Sequence, residues 1–409
     1  MVMKSVKLAS ILFYLNSVFV VSCFVSCGSS PTEAPSLLTA DIRGGMDKPG
    51  LLGLGDEIKG VTFVPLEVTT DDASLIDGVY DYAVTDRYIY VLPVKEPRIV
   101  LFDRQGRFIR TLVKEGQGSG EFSGILPCIQ VDERNDRLFL FSNNRVWEYT
   151  LEGEFIGQST HEYSVIYMRH IGKDRFAAIS FPFQPFNGGG FGLGLFSRKG
   201  DTIAIKNDFY SFLLPHEKSG FTTSIAPAYS DAQNSVLFKT GSNDTVFSIS
   251  ADRISAACVL DLKNSDAEVI RSLDVTDMSN LRIEKKDPKD IFVQDMIEFP
   301  EHYYFRLLYN QGYYIASVDK KTGKTLVEKC EMPGSIYELA DANLQHGMLG
   351  TRSYRNFPVW GRVIKDELVQ VVTPYELNLY KSLHSITIPQ ELDLKGEEGN
   401  PVFVFYSLI

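Results

Sequence analysis

Three carboxylates are the residues of this chain best suited to hold a metal ion. Asp81, Asp295 and Glu298 each lie within an extended apolar segment. Carboxylate oxygens are ligands that Ca²⁺ prefers, so the three acids predict a calcium site if the fold brings them to one axis. Arg169 and Arg362 occupy comparable segments, and ion pairs between the acids and these arginines are the favoured interpretation.

Linear catalytic motifs are missing from the sequence. His161-Glu162 and His216-Glu217 lack a second His at the spacing of a zinc protease, and there is no Gly-x-Ser-x-Gly. The six histidines are spread along the chain and predict no metal cluster. We therefore expect no cofactor other than the calcium ion considered above, and we favour a protein without enzymatic activity.

Aromatic side chains concentrate in two other segments. Phe183 and Phe186 precede the glycine run 188–190, and Tyr210 and Phe212 lie some twenty residues later. Exposed aromatic rings stack on sugars or grip a peptide, which makes these four residues predicted ligand-binding residues. Packing into a small core within the loops is the alternative.

The N-terminal residues are typical of a secretory signal. Lys4 and Lys7 precede an apolar run, residues 8–21, which is short for a membrane-spanning helix. We predict a signal peptide over residues 1–26, with an uncleaved anchor helix as one alternative.

A cysteine follows in a sequence, Phe24-Val25-Ser26-Cys27, that resembles the lipobox of bacterial lipoproteins. The resemblance implies that Cys27 becomes the lipidated first residue of the mature chain, that residues 27–54 form a tether, and that the lipid holds the protein on the outer membrane, on its periplasmic or its surface side. Cys23 is the competing position, and ordinary cleavage that leaves a free thiol is the other alternative.

Charge and composition restrict the partners. Forty-one Lys and Arg against 52 Asp and Glu give a net charge of −11, which argues against binding through phosphates and hence against nucleic acid. A hydrophobic fraction of 44% is sufficient for a large core. The five cysteines predict neither a disulfide framework nor a zinc knuckle.

An internal repeat is the most informative feature of the chain. Apolar segments run into polar turns that end at Gly106, Gly153 and Gly200, an interval of 47 residues each time (153 − 106 and 200 − 153). Weaker copies turn at Asp252 and Gly323. Each copy has the pattern of a hairpin with two further strands around it. Four-stranded antiparallel sheets that cover one another on both faces are propeller blades.

We predict an all-β fold, a six-bladed β-propeller over residues 55–409. Five blades follow from the repeat, whereas the sixth has only two strands of its own near residues 357–372. The segments 61–66 and 401–406 supply the missing strands, so that strands from the N- and C-terminal ends pair in the last blade. This closure removes the exposed sheet edges of an open array.

Four segments carry a resemblance to a known family: Val64–Glu67, Phe102–Ile109, Gly116–Phe122 and Asn400–Tyr406. They are similar to the six-bladed β-propeller family of bacterial lipoproteins, relatives of NHL-repeat propellers. The resemblance covers about residues 55–409 and departs from the usual pattern at Ser119, where Pro is common. It implies a propeller in the cell envelope and no particular reaction.

The antiparallel order within a blade separates its connections onto two faces. Links between strands one and two and between three and four share a face that we call the turn face. The other links share a face that we call the long-loop face, because most inserted sequence falls there: 182–190, 207–221, 263–292, 332–356 and 374–400. Short helices are expected on it after the capping residues Thr373 and Ser265. Since loops on a rigid scaffold usually carry binding sites, this face is the predicted functional face.

These features predict a lipid-anchored envelope protein that binds a glycan, a peptide or an envelope partner protein through its long-loop face. The alternative is a calcium-dependent hydrolase or lactonase with an axial site, as in gluconolactonase-like propellers, and its metal would lie at Asp81, Asp295 and Glu298. A structural subunit of an outer-membrane assembly is a third interpretation. The lipid is the expected membrane contact, and no nucleic-acid partner is expected.

Overall fold

The computed structural model describes the greater part of the chain and confirms the all-β propeller. The described residues are 37–50, 52, 57–123, 128–142, 144–161, 165–180, 183–184, 193–206, 212–213, 228–232, 235–239, 244–263, 290–310, 312–330, 361–375, 377 and 399–409. Within them, six antiparallel sheets each contain four strands of a blade in order from the inner to the outer strand.

Strand β1 (Leu38–Ala40), helix α1 (Ile42–Asp47) and strand β2 (Ile58–Pro65) precede the first blade. Blade 1 contains β3 (Val79–Val84), β4 (Tyr88–Pro93), β5 (Arg98–Asp103) and β6 (Phe108–Lys114). Blade 2 contains β7 (Cys128–Asp132), β8 (Arg137–Ser142), β9 (Arg145–Tyr149) and β10 (Phe155–Thr160). Blade 3 begins with β11 (Val165–His170) and β12 (Arg175–Ser180). After the short strand β13 (Phe183–Gln184), blade 3 continues with β14 (Leu193–Ser197) and β15 (Thr202–Lys206).

A second short strand, β16 (Phe212–Leu213), precedes blade 4. Blade 4 contains β17 (Ala228–Ala232), β18 (Ser235–Lys239), β19 (Thr245–Ser250) and β20 (Ile254–Leu260). Blade 5 contains β21 (Phe292–Glu298), β22 (His302–Tyr309), β23 (Gly312–Asp319) and β24 (Thr325–Cys330). Blade 6 contains β25 (Gly361–Ile364), β26 (Glu367–Val372), β27 (Val402–Leu408) and, as its outer strand, β2.

The predicted closure of the ring is confirmed. Strand β2 pairs antiparallel with β27 from Ile58–Leu408 to Pro65–Val402. Asn400, just before β27, is buried, and its amide nitrogen donates to the Glu67 and Ser74 carbonyls at 2.7 and 2.8 Å. Its side-chain oxygen accepts from the Ile76 N–H at 2.7 Å. This single side chain therefore joins the last strand to the link between blades 6 and 1.

Residues 38–50 and 52, which we call the N-terminal belt, were expected to belong to a tether over residues 27–54. Instead, β1 adds in parallel to β20 at the outer edge of blade 4. Helix α1 packs on β24 of blade 5, where Ile42 and Met46 are buried against Val327 and its neighbours. Leu52 donates its N–H to Glu328 Oε2 at 2.9 Å and lies in the apolar cluster between blades 5 and 6. The apolar residues of the belt explain why this segment packs against the propeller.

Each turn glycine of the repeat meets the outer strand of the preceding blade. Gly106, Gly153 and Gly200 have φ of +81°, +87° and +93°, a conformation that favours glycine. A Cβ at Gly106 would lie 2.1 Å from the Pro65 carbonyl oxygen of blade 6. A Cβ at Gly153 would lie 3.0 Å from Leu112 Cβ of blade 1. The 47-residue period therefore corresponds both to a left-handed glycine turn and to a contact between neighbouring blades that each repeat makes.

The core is distributed over the seams between blades. Phe403 and Phe405 of blade 6 pack with Val91 and Phe102 of blade 1. Trp147 of blade 2 is buried in a cluster with residues of blade 1. Because each blade covers the next, loss of one seam exposes two apolar sheet faces.

The two faces follow from the observed strand order. The turn-face links are short, for example residues 85–87 and 365–366. Residues 374, 375 and 377 are helical and the Leu377 N–H donates to the Thr373 carbonyl at 3.0 Å, which agrees with a helix starting at Thr373. The helix expected after Ser265 lies outside the described residues, as does most of the inserted sequence.

Candidate functional site

The inner strands of three blades carry a bulge at the long-loop end of the axial channel. The register shifts between Val79 and Asp81 in β3, and it shifts at the same place in β11 and in β21. Tyr80 is the extra residue in β3, and 45% of its surface is exposed. Bulges re-aim side chains and are common beside functional sites. Backbone bulges in three inner strands therefore mark the channel mouth on the long-loop face.

Asp81 lies just inside this mouth and is 3% exposed. Its Oδ1 accepts from the Tyr82 N–H at 2.9 Å and from an Arg362 guanidinium nitrogen. Its Oδ2 accepts from the Ile129 N–H at 2.6 Å, and Arg169 Nη1 lies 4.0 Å from the same oxygen. One carboxylate therefore connects the inner strands of blades 6, 1, 2 and 3.

Both arginines make further contacts in this cluster. Arg169 is 2% exposed, donates through Nε to the Tyr167 hydroxyl at 2.9 Å and through Nη1 to the Ile129 carbonyl at 3.0 Å. Arg362 donates through Nη1 to the Tyr82 carbonyl at 2.6 Å. The Tyr82 hydroxyl in turn donates to the Val369 carbonyl of blade 6 at 2.9 Å. Charge-assisted hydrogen bonds of this kind hold the strands in one arrangement.

The three predicted metal-binding acids have different surroundings. Asp81 faces two guanidinium groups, which disfavour the binding of a metal cation to the same carboxylate. Glu298 lies at the turn-face end of β21 and accepts from Lys320 Nζ at 2.6 Å. The backbone of Asp295 lies opposite that of Arg306 in the β21–β22 pair. Among the described residues, no three His, Cys, Asp or Glu side chains are grouped so that they could hold a metal ion.

Of the four predicted aromatic ligand-binding residues, the structure places two. Phe183 of β13 and Phe212 of β16 are direct partners in a two-residue parallel pair on the long-loop side of blade 3. Two segments separated in sequence are thus brought together by their backbones. Phe186 and Tyr210 lie outside the described residues.

Sequence reasoning missed a set of exposed apolar residues on the long-loop face of blades 6 and 1. We call these residues the mouth patch, and they belong to links on this face and to the bulge of β3: Val68, Leu75, Tyr80, Val94 and Tyr375. Desolvation, with Cys128 and Asp81 nearby, raises the pKa of Tyr80 above its ordinary value, so the phenol stays neutral at physiological pH. No sequence signal marked the patch, because isolated apolar residues in polar links are common.

Two buried histidines lie at the seam between blades 2 and 3. His161 packs edge-on against Phe176 and Phe196, and neither ring nitrogen has a hydrogen-bond partner among the described residues. Desolvation lowers its pKa. His170 stacks on Phe139 at 4.9 Å, and its pKa is also lowered by desolvation. The charged groups around His170 have opposite effects on its pKa: Asp132, Asp174 and Glu148 raise it, and Arg198 lowers it.

Acid should weaken this seam. The folded pKa of both histidines is below the unfolded value of about 6.5, so the unfolded chain binds more protons as pH falls through that value. We expect the free energy of unfolding to fall from pH 7.5 to 5.5, by up to about 1.4 kcal/mol per pH unit for each histidine. The variant His161→Phe should show a clearly shallower fall in urea titrations at the two pH values. An unchanged slope in the variant would show that His161 does not carry the effect.

Among the described residues, no helix combines the length and the hydropathy of a membrane span.

Two solved structures from Bacteroides species align with this chain. A solved structure from Bacteroides fragilis NCTC 9343, whose description proposes export, aligns with a TM-score of 0.65 at 15% identity and covers 91% of this chain and 99% of its own. A protein of unknown function from Bacteroides caccae aligns weakly, with a TM-score of 0.34 at 11% identity, and the alignment covers 61% of this chain and 81% of that one.

None of the curated proteins compared with the chain matches it. One family model matches residues 37–407, a range that begins at the N-terminal belt and includes every blade. The expected six-bladed propeller is thus confirmed, and the NHL-like lipoprotein label stays a resemblance. The chain belongs to the family described as a domain of unknown function, DUF4934.

Proposed function

We propose that the protein is an envelope binding module that takes a glycan, a peptide or a partner protein at the channel mouth of its long-loop face. The mouth patch carries this proposal. Tyr80 and Tyr375 are 45% and 50% exposed, and both lie on the face to which the topology assigns the long insertions. Rigid aromatic rings lose little conformational entropy on binding and contact both sugars and peptides well.

The Asp81 cluster supports this function by holding the mouth rigid. Four inner strands are fixed by hydrogen bonds to one carboxylate and its arginines. Loops and side chains on a preorganised scaffold bind with a smaller entropic cost. The calcium-dependent hydrolase has no comparable support, because the guanidinium groups compete for the Asp81 oxygens.

A paired substitution tests the mouth. Glycan and peptide arrays probed with the labelled whole protein should give a set of bound compounds, and the double variant Tyr80→Ala/Tyr375→Ala should bind them at least tenfold more weakly. The matched control is Ile409→Ala, which removes an exposed apolar side chain from the other face. If the double variant folds and binds like the parent, the mouth patch is not the site.

The proposed location in the cell envelope is supported by the first thirty residues and by the Bacteroides fragilis structure whose description proposes export. We propose that the lipid is attached at Cys27 and holds the protein at the outer membrane. A bilayer would not attract a chain of net charge −11 by electrostatics, so the acyl chains must supply the affinity.

Labelling with a fatty acid distinguishes the two cysteines. In a bacterial host that processes lipoproteins, Cys27→Ala should abolish incorporation of labelled palmitate and release the protein from the membrane fraction. Cys23→Ala should leave both unchanged. The reverse pattern would assign the lipid to Cys23. If the parent protein itself incorporates no labelled palmitate, the lipid anchor is wrong.

A further inference from the structure

Three isoleucines occupy equivalent positions on the outer strands of consecutive blades. Ile109, Ile156 and Ile203 each lie three residues after a turn glycine. Each is the extra residue of a bulge, since the register skips it between its neighbours in β6, β10 and β15. They are 41%, 40% and 41% exposed. The same apolar residue is thus presented to solvent three times at the repeat interval.

Among the described residues, no strand pairs with the outer edges of the strands that carry these isoleucines, although the Phe108 N–H of β6 donates to Glu67 Oε2 at 2.8 Å. Strands β6, β10 and β15 are each the last strand of their sheet in the part of the chain that the structure describes. We call these three strands the bare rim. Phe155 and Ile205 add exposed apolar surface to it. Unpaired N–H and C=O groups beside exposed apolar side chains are a template for another strand.

The other blades show what such an edge accepts. In blade 4, β1 of the N-terminal belt adds to β20 in parallel, with Leu38 opposite Cys258 and Ala40 opposite Leu260. The residue three positions after the turn residue Asp252 is polar, Ser255, and it pairs with Ser248, whereas the bulge of β20 lies at Ala257.

Blade 5 gives a second example. The Gly50 N–H donates to the Val327 carbonyl at 2.8 Å, and Gly50 packs beside Leu326. Leu326 lies three residues after Gly323, as the isoleucines lie after their turn glycines, but it pairs with Ser317 and is not a bulge residue. The N-terminal belt therefore already contacts this position in one blade and pairs with the outer strand in another.

We propose that the bare rim binds an extended polypeptide segment of a partner protein, which adds to an outer strand in parallel as β1 does. Backbone hydrogen bonds would supply much of the affinity, and alternate apolar side chains would contact Ile109, Ile156 or Ile203. The surface is continuous with the interface that the chain itself makes, because β15 lies against β20. A lipid surface fits less well, since the Arg110–Glu152 ion pair crosses the rim between blades 1 and 2.

Amide exchange with a defined probe tests strand addition. The probe is a synthetic peptide with the belt sequence, residues 37–52, added to the whole protein. We expect binding with slower hydrogen exchange at backbone amides of β6, β10 or β15. Protection confined to β20 and β24 would mean that the peptide replaces the belt, and it would overturn the proposal, as would no binding.

Substitutions at the exposed isoleucines give the second arm. The triple variant Ile109→Arg/Ile156→Arg/Ile203→Arg should fold, because the side chains are exposed, and should bind the peptide at least tenfold more weakly. Thr62→Arg, at an exposed position on the outer strand of blade 6, is the control for one added arginine. It is compared with the single variant Ile156→Arg, which carries the same charge change, and should bind within twofold of the parent. Equal affinity in the triple variant, or protection of the rim by a second copy in place of the peptide, would also overturn the proposal. The glycan and peptide arrays with Tyr80→Ala/Tyr375→Ala test the other face independently.

Discussion

Replacement of Asp81 by Ala should lower the free energy of unfolding by about 3 kcal/mol or more, because it breaks a buried ion pair. The Ile129 N–H loses its acceptor, and Arg169 and Arg362 lose the carboxylate that both guanidinium groups face. Asp81→Asn should cost less, since an amide oxygen still accepts one N–H bond while the negative charge is lost. Urea denaturation with an unchanged m-value measures the difference.

The control for this series is another aspartate of the same region. Asp77 pairs with Lys95 at 3.6 Å on the surface, and Asp77→Ala should cost less than about 1 kcal/mol. A cost for Asp81→Ala as small as that for Asp77→Ala would show that the cluster does not hold the blades together.

Calcium gives an independent check on the role of Asp81. If the carboxylate serves only the arginines, added calcium and a chelator should leave the melting temperature of the parent unchanged. A calcium-dependent rise in the parent that disappears in Asp81→Asn would instead make Asp81 a metal ligand and favour the hydrolase.

The second large effect is expected at a turn glycine. Gly106→Ala should destabilise the protein by about 3 kcal/mol or more, because left-handed backbone costs about 1–2 kcal/mol for a residue with a Cβ and overpacking adds to it. The new Cβ would lie 2.1 Å from the Pro65 carbonyl oxygen, which belongs to the closing strand and cannot move as a side chain can.

The repeat itself supplies the matched control. Gly200 has a similar φ, but its Cβ would lie 3.5 Å from the nearest atom, His161 Nδ1, an ordinary contact. Gly200→Ala should therefore cost only the backbone strain, about 1–2 kcal/mol. Gly153→Ala, with a contact of 3.0 Å, should fall between them. Equal costs at the three positions would show that the contact between blades does not matter.

The repeat allowed the fold to be predicted because its signals are local. A turn glycine with apolar strands on both sides specifies a hairpin without reference to the rest of the chain. The closing strands were predictable for another reason: blade 6 lacked two strands, and segments 61–66 and 401–406 were the remaining apolar candidates.

The N-terminal belt and the axial cluster depended on contacts that no local pattern records. Strand β1 has three residues, too few for an alternating pattern to show, and it is fixed only by its pairing with β20. Asp81 and Arg362 are 281 positions apart. The sequence places both in extended apolar segments but does not distinguish a metal-binding carboxylate from an ion-paired one, because the difference lies in which neighbour faces the oxygens.

The pairing of β2 with β27 has a consequence for synthesis. Residues 58–65 are made well before their partner, residues 402–408. Until residues 402–408 are available, β2 has no partner and blade 6 is incomplete, so the ring stays open at that blade. A product that stops short of residue 402 keeps β2 as an orphan strand, and cellular proteases should remove such products quickly.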